Sequence, residues 1–582
     1  MVRRRGNGLL VRARMSGFAG IIGRGRLADM IAVLERTAPH GTHTRNADDA
    51  SLAYAHFDSD PERPRPMMPM TIDGVRWIVG DCDAATVLDA YRRWGADAAS
   101  HLFGDFAFAI WDAEARSLFA ARDAFGVKPF YYAHRGDTFV FSSALAAVRS
   151  QVANDLDNNA IAEFLLFSIG LDPSATTFAQ IRTLPAGHSM FVRGSDIEIK
   201  RWFDLPVEEP IVFRDRREVI DAFNEHLTRA VASRIGSSSI TASMSGGLDS
   251  TTITTVAAEV LRARHASPNI TAYTIVWDPL VPDDEERFAR AVAERLAIDL
   301  RIIRADRHRM FEKWDDSSYI KDEPSNDPFS AITTDQFRDA ANHAPVMLAG
   351  QGGDAVFYAS HSYFWQLLRR ARFIRFFTEV GAHLIRKRRL PPLGLRSSLR
   401  KARGIRAPRD PYPAWIHYDL RERWDDYWND LPELHPTRPQ AHGLLLGAGW
   451  QRLNEYTDPA AMGARIEYRN PLLDVPLVRF LLRVPPMPWF AEKELPREAM
   501  RGRLPELARL RRKTPIGMDP AHLLIDRQRD ELQSLIDMTP ELDRWVDRRV
   551  LGEVLRSPTR SLYDSFLLTL PLCLAHWLRA RR

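Results

Sequence analysis

Ser245-Gly246-Gly247-Leu248-Asp249-Ser250 stands where a short apolar run, residues 240–244, gives way to a segment, residues 251–264, that is apolar at helical spacing. A strand, a glycine turn and a helix form half of a β-α-β unit, which commits the surrounding sequence to a parallel sheet covered by helices. The turn also has a chemical consequence. Two residues without Cβ let main chain approach an anion, the free N–H groups and dipole of the helix start favour negative charge, and Ser245 and Ser250 add hydroxyl donors. Asp249 would repel a bare phosphate, so its place calls for Mg2+, which is commonly held by one or two carboxylates plus phosphates. No lysine follows the glycines, which separates this turn from a Walker loop.

The β-α alternation continues. Residues 270–277 and 345–348 read as strands, and residues 285–296 and 333–341 as helices, so ligands are expected at the carboxyl ends of the strands. From residue 362 onward the chain reads as mainly helical, with a basic, proline-rich interruption near residues 390–413. Upstream, residues 15–205 alternate short apolar segments with Gly, Asp and Pro turns, the pattern of a β-rich domain with some helices, and residues 103–111 and 117–121 suit paired strands. Residues 206–217 are the expected linker, and residues 218–582 the second domain. Residues 1–14 are basic and lack the apolar core of a secretory signal; they read as a disordered extension or a misplaced start.

Composition narrows the function classes. At 582 residues, 45% apolar and 27% charged, the chain can bury more than one core. Cys82 and Cys573 are its only cysteines, which excludes a disulfide scaffold or Cys-rich zinc module and suits a reducing, cytoplasmic setting. No apolar run is long enough to span a bilayer. A net charge of +5 is small for this length, so no nucleic-acid partner is implied by charge alone.

Several further blocks occur in order: Met15-Ser16-Gly17-Phe18-Ala19-Gly20; Leu102-Phe103-Gly104-Asp105-Phe106-Ala107-Phe108; Arg122-Asp123-Ala124-Phe125-Gly126-Val127-Lys128-Pro129-Phe130-Tyr131-Tyr132; Asp284-Glu285; Leu348-Ala349-Gly350-Gln351-Gly352-Gly353-Asp354; and Glu467-Tyr468-Arg469-Asn470-Pro471-Leu472-Leu473-Asp474, followed by Lys493 and Arg497. With these, the chain resembles the class B asparagine synthetase superfamily over nearly its whole length. The resemblance implies an α/β fold: an N-terminal Ntn-hydrolase-like (class II glutaminase-like) α/β sandwich, then a PP-loop ATP pyrophosphatase domain, adenine nucleotide alpha hydrolase-like, with a parallel sheet and a helical C-terminal part. It departs from the family at the glutaminase nucleophile. Ser16 stands where the family has cysteine, Pro39-His40-Gly41-Thr42 where Arg-Gly-Pro-Asp is expected, and Val79-Gly80-Asp81 where Asn-Gly-Glu is expected. A hydroxyl without an activating base is a poor substitute for a thiolate, so this half is expected to be a retained, degenerate domain.

Without ammonia from glutamine, another amine must attack the activated carboxylate. The chain is most similar to lasso peptide cyclases, in its length, in Gln351 and Ala355, in the basic insertion ending at Tyr412-Pro413-Ala414-Trp415, and in Leu572-Cys573-Leu574-Ala575-His576-Trp577-Leu578. That likeness implies ATP and Mg2+ as cofactors, a precursor core peptide as substrate, and a leader peptidase and leader-binding protein as partners. By the same likeness Ser243, Ser245, Gly246, Gly247, Asp249, Ser250, Ile275 and Gly350 contact the nucleotide, and Asp249 and Asp354 hold the metal. Lys493 stabilises developing negative charge. Glu467 is the candidate general base, with a structural partnership to Arg469 or Arg465 as the alternative. Arginines and lysines between residues 369 and 409 form either a solvated helix face or a contact for an acidic peptide, a protein or nucleic acid. Competing readings are an ammonia-using asparagine synthetase, a β-lactam-synthetase-like ligase, and a PP-loop tRNA-modifying enzyme.

Overall fold

The computed structural model describes residues 9–10, 16–47, 49–57, 67–265, 268–358, 363–388, 411–417, 419–427, 435–512, 519–557 and 561–581. Two six-stranded sheets make the N-terminal half. One contains Ser16–Ile22 between Ala50–His56 and Thr138–Ser142; the other runs through Arg76–Asp81, Ala107–Asp112, Ser117–Arg122 and His188–Arg193. Phe18, Phe108, Phe130, Phe139 and Phe141 fill the space between the sheets. Helices Leu27–Leu34 and Asn158–Phe167 pack on the other face of the first sheet. Ala107–Asp112 pairs antiparallel with Ser117–Arg122, the pairing expected of residues 103–111 and 117–121, but residues 104–106 break the first of these and Leu102–Phe103 is a separate short strand. Every residue of the latter strand is buried, because sheet and partner layer cover both faces.

The second half is built on a parallel sheet whose strands lie in the order Asp299–Arg304, Asn269–Val276, Ser239–Ser243, Val346–Ala349, Glu467–Arg469. Helix Leu248–Arg264 follows the central strand and is almost wholly buried, which is why its apolar stripe is broad. Helix Arg216–Arg234 packs beside it, and Val475–Arg483 packs on Arg216–Arg234, with Phe223, Leu227, Leu477 and Leu481 in the shared core. The long C-terminal helix, Leu562–Ala580, closes the core against Asn158–Phe167 of the first half, so the two halves share one apolar cluster.

Three details differ from the sequence expectations. Leu9–Leu10 pair in parallel with Leu102–Phe103, so part of the stretch read as a disordered extension joins a strand ladder; the rest of residues 1–14 lies outside the described residues. Asp299–Arg304 and Glu467–Arg469 are strands that the apolar pattern missed, since the first carries charge at both ends and the second has only three residues. Residues 206–213 have no regular structure, and the next helix begins behind Asp215, whose side chain accepts from Glu218 N–H. Much of the basic stretch between residues 369 and 409 lies outside the described residues; its described helix is Phe373–Lys387. No helix among the described residues is long and apolar enough to cross a membrane.

Candidate active site

The central strand ends at Ser243, which lies level with Tyr273 and Ala349 of its neighbours, so the glycine turn opens at the carboxyl edge of the sheet. Met244 N–H donates to Tyr273 carbonyl at 2.8 Å, steering the chain out of the ladder. Ser245 and Ser250 hydroxyls bond each other at 3.0 Å, Gly247 N–H donates to Ser245 Oγ, and Ser250 Oγ returns to the Ser245 carbonyl. The turn is thus pre-shaped by its own serines. Ile275, half-buried near the end of its strand, is level with Ile303.

Gly350 and Gly353 belong to the loop after the adjacent strand, and both are required by proximity. A Cβ on Gly350 would collide with Ser250 N, and one on Gly353 with the Asp249 carboxylate. Main chain from the two loops therefore meets directly, which brings Asp249 and Asp354 to one place. Lys493 Nζ bonds both: it donates to Asp354 Oδ1 at 2.8 Å and forms a short contact with Asp249 Oδ2. Burial alone would lower the Lys493 pKa, but the Asp249 and Asp354 carboxylates outweigh it and hold the pKa above the ordinary lysine value. Glu492 and Lys493 both have positive φ, 55° and 56°, an unfavourable pair for residues with side chains. Backbone strain of this kind is characteristic of positions where geometry serves chemistry.

Because one ammonium reaches both carboxylates, Asp249 and Asp354 are close enough to share a hard cation. The oxygen donor set fits Mg2+ held jointly by protein and phosphates. Lys493 thus lies beside the expected metal site.

The glycine turn is bonded to a carboxylate of this chain. Gly246 N–H donates to Glu285 Oε2 at 2.5 Å, and Arg511 Nη2 donates to Glu285 Oε1 at 2.7 Å. A Cβ on Gly246 would lie 2.7 Å from Arg511 Nη1, and that nitrogen is buried without a hydrogen-bond partner among the described residues. Glu285 occurs in a block noted in the sequence, but no role followed from it; Arg511 carried no signal beyond being one arginine among many.

Glu467 requires a correction. It is level with Val346, three residues before the strand end where the glycine loops meet, and is 2% exposed. Lys128 Nζ donates to its Oε1 at 2.6 Å, and Arg469 makes a short ion pair with Oε2. Burial would raise its pKa, yet Arg469 and Lys128 prevail and hold the carboxyl far below the ordinary range. Such a group is a poor proton acceptor at neutral pH, so the structural alternative, partnership with Arg469, replaces the general-base assignment.

Lys128 also pairs with Asp81 at 2.8 Å, so a residue of the eroded Val79-Gly80-Asp81 segment is committed to the interface between the halves. Arg122, fully buried, pairs with Glu455 at 2.9 Å across the same interface. Ser16 begins its strand opposite His56, while Cys82 is buried and its thiol is pushed well above the usual pKa by desolvation. Cys82 is therefore not an alternative thiolate nucleophile. Asp458 caps the short helix Pro459–Met462, and burial raises its carboxyl to about 7 against the pull of Lys128. Nothing in its local sequence distinguished it from an ordinary cap.

Comparison with known proteins matches an asparagine synthase domain over residues 222–579 and a glutamine amidotransferase domain over residues 71–203. Asparagine synthetase (glutamine-hydrolyzing) 3 of Bacillus subtilis is 24% identical over 455 residues, spanning 74% of this chain and 70% of that protein. Amidase chyE of Penicillium rubens is 26% identical over 296 residues, spanning 48% of this chain and 43% of that protein, so the match covers less than half of this relative. Glutamine phosphoribosylpyrophosphate amidotransferase of B. subtilis is 13% identical, covers 58% of this chain and 77% of that chain, and has a TM-score of 0.25, too low to support an argument.

Proposed function

The chain belongs to the asparagine synthase family, and on that premise we propose that it is an ATP-dependent carbon–nitrogen ligase that closes a macrolactam in a lasso peptide. The bond joins an Asp or Glu side-chain carboxylate of the precursor to the N-terminal amine of its core. ATP converts the carboxylate into an acyl-adenylate with loss of pyrophosphate; the amine then attacks the acyl carbon, loses a proton and expels AMP. Mg2+ bound at Asp249 and Asp354 would offset phosphate charge. Ser245, Gly246, Gly247 and Ser250 hold the pyrophosphate, with Ser243, Ile275 and Gly350 bordering the nucleotide. Lys493 places a fixed cation beside the charge that develops during displacement, commonly a large catalytic contribution. Glu467 is not retained as base. Asp458, which lines the cavity between the halves and whose carboxyl burial pushes up to about 7, is the base proposed in its place.

The observation that carries this reading is the contrast between the two halves. Asp249, Lys493 and Asp354 converge at the sheet edge, whereas the N-terminal half has Ser16 for a nucleophile and has Asp81 tied to Lys128. An adenylating site without its own ammonia supply suits a substrate that brings its own amine. Mass spectrometry of cells co-expressing the chain with its flanking genes tests the proposal: a core peptide one water lighter, absent with Lys493→Ala, is expected. A precursor that is made and cleaved but never dehydrated would overturn it. The ammonia-using asparagine synthetase remains the second reading, favoured by the extent of the Bacillus match, and aspartate-plus-ammonia-dependent pyrophosphate release would select it.

A further inference from the structure

A cavity of about 710 Å3 lies between the halves, with Phe164 and Leu171 on one wall and Leu444 and Trp450 on another. Its size falls in the range of sites for small ligands or a few peptide residues, about 300–1,000 Å3. Two cations line it. Arg452 is paired with Glu455 at 3.0 Å. Lys321 is 9% exposed, and no carboxylate among the described residues lies within ion-pair distance of its Nζ. Its hydrogen-bond partners among the described residues are the Thr334 hydroxyl at 2.9 Å and the Met462 sulfur at 3.5 Å, both neutral, and its Nζ lies 5.8 Å from the ring centre of Tyr456 on the cavity wall.

The acids on the same walls are engaged elsewhere. Glu323 accepts from Thr177 N–H and hydroxyl, Glu455 from Arg122 and Arg452, and Asp458 from Ala460 N–H, while Asp322 lies 3.6 Å from Arg149. Burying an ammonium without a counter-charge is costly, and burial with nearby Arg338 lowers the Lys321 pKa to about 8 despite Asp327 and Asp322. An incoming anion would relieve that cost. The loop bearing Lys321 continues to Phe329, whose ring packs edge-on against Trp277 at 4.7 Å, just past the strand that carries Ile275. The segment that lines the cavity from Lys321 to Asn326 is thus tied, three residues further on, to the carboxyl end of that strand.

We propose that Lys321 is a substrate-binding residue and that the cavity takes a peptide segment bearing a carboxylate, whose charge Lys321 receives. This rests on the ligase reading for its biological meaning, but the ion pair can be measured without catalysis. The carboxylate is either the side chain to be activated or the peptide C-terminus, and two probes distinguish them. N-acetyl-L-glutamic acid α-amide carries only the side-chain carboxylate; N-acetyl-L-alanine carries only the terminal one.

Each probe is titrated calorimetrically onto the full-length protein without ATP. Binding of one probe by wild type, weakened at least tenfold by Lys321→Met and partly restored by Lys321→Arg, is the expected result. Equal binding by wild type and Lys321→Met, or by neither, overturns the proposal. The methionine variant should melt no lower than wild type, because it removes a buried cation without a counter-ion; a clear drop would mark Lys321 as structural and also overturn the proposal. If wild type binds a probe but releases no pyrophosphate with any precursor, the ligase reading fails while the carboxylate site stands.

Discussion

Lys128 of the N-terminal half donates to Glu467 Oε1 of the C-terminal half at 2.6 Å, and the same ammonium bonds Asp81 Oδ2 at 2.8 Å. One lysine therefore joins Asp81 of the segment that stands where the family has Asn-Gly-Glu to Glu467, the residue expected to move protons. All three side chains are nearly inaccessible to solvent, so the cluster acts as a desolvated bolt between the halves.

Lys128→Met should take from Asp81 the buried ammonium it pairs with, and from Glu467 one of the two cations that hold it. Removing one partner of a buried pair typically costs about 3–5 kcal/mol. Denaturant unfolding should show a loss of this order. Adding Glu467→Gln and Asp81→Asn to the same chain should recover much of it, whereas a catalytic Glu467 would lose turnover in the single Glu467→Gln variant out of proportion to stability.

Lys493→Ala should lower pyrophosphate release at least 100-fold, since a cation fixed beside developing charge is worth about 2.7–4 kcal/mol in comparable sites. Thermal unfolding should change little by comparison, because Lys493 sits at a site edge rather than in the core. Retention of more than one-tenth of wild-type turnover would remove Lys493 from the mechanism.

Glu285→Gln should tighten ATP binding, because its carboxylate occupies the Gly246 N–H that a phosphate oxygen would need. Arg511→Gln should have the opposite effect, raising KM for ATP about tenfold, or ~1.4 kcal/mol, through loss of a buried guanidinium. Pyrophosphate release at varied ATP reads both. Changes of the same sign in the two variants would contradict this arrangement.

Asp458 gives the protein a pH signature. Burial pushes its carboxyl up to about 7 in the folded chain, against the ordinary aspartate value of 3.8 when unfolded. Between these values the folded state keeps a proton that the unfolded state has lost, so this residue lowers stability as pH rises from about 4 to 7 and no further above that. Asp458→Asn preserves the helix cap and should flatten that part of the curve, with the largest gain over wild type above pH 7. Denaturation midpoints of both proteins at pH 5 and pH 8 provide the check.

Gly350→Ala should abolish ATP-dependent activity, since the added methyl would meet Ser250 main chain rather than a movable side chain. ATP binding should fail with it. Normal ATP affinity in this variant would show that the two loops can separate without loss of the nucleotide site.

The glycine turn was readable because local sequence specifies it: a strand end, two residues without Cβ and a helix start lie within one short segment. The same holds for helix Glu285–Leu296, found with the bounds its periodicity predicts. Glu467 was misread for a reason equally physical. Its neighbours form a block at a plausible distance from the other motifs, but a three-residue strand gives no periodicity from which to learn its depth in the sheet or the identity of its partners.

By itself the sequence determined a parallel-sheet domain with a glycine turn between strand and helix, a β-rich domain before it, and the replacement of the expected cysteine by Ser16. The first two follow from residue type and short-range spacing, and the third from the resemblance of the Met15–Gly20 block to the family. Tertiary structure alone decided that Lys493 bridges Asp249 and Asp354, that Glu285 and Arg511 meet at Gly246, that Glu467 is locked by Lys128 and Arg469, and that Lys321 is buried beside a cavity without a carboxylate partner among the described residues. A side chain's charge state and reactivity depend on burial and on opposite charges a few ångströms away, and here, Arg469 beside Glu467 apart, those partners lie tens to hundreds of residues away in the chain.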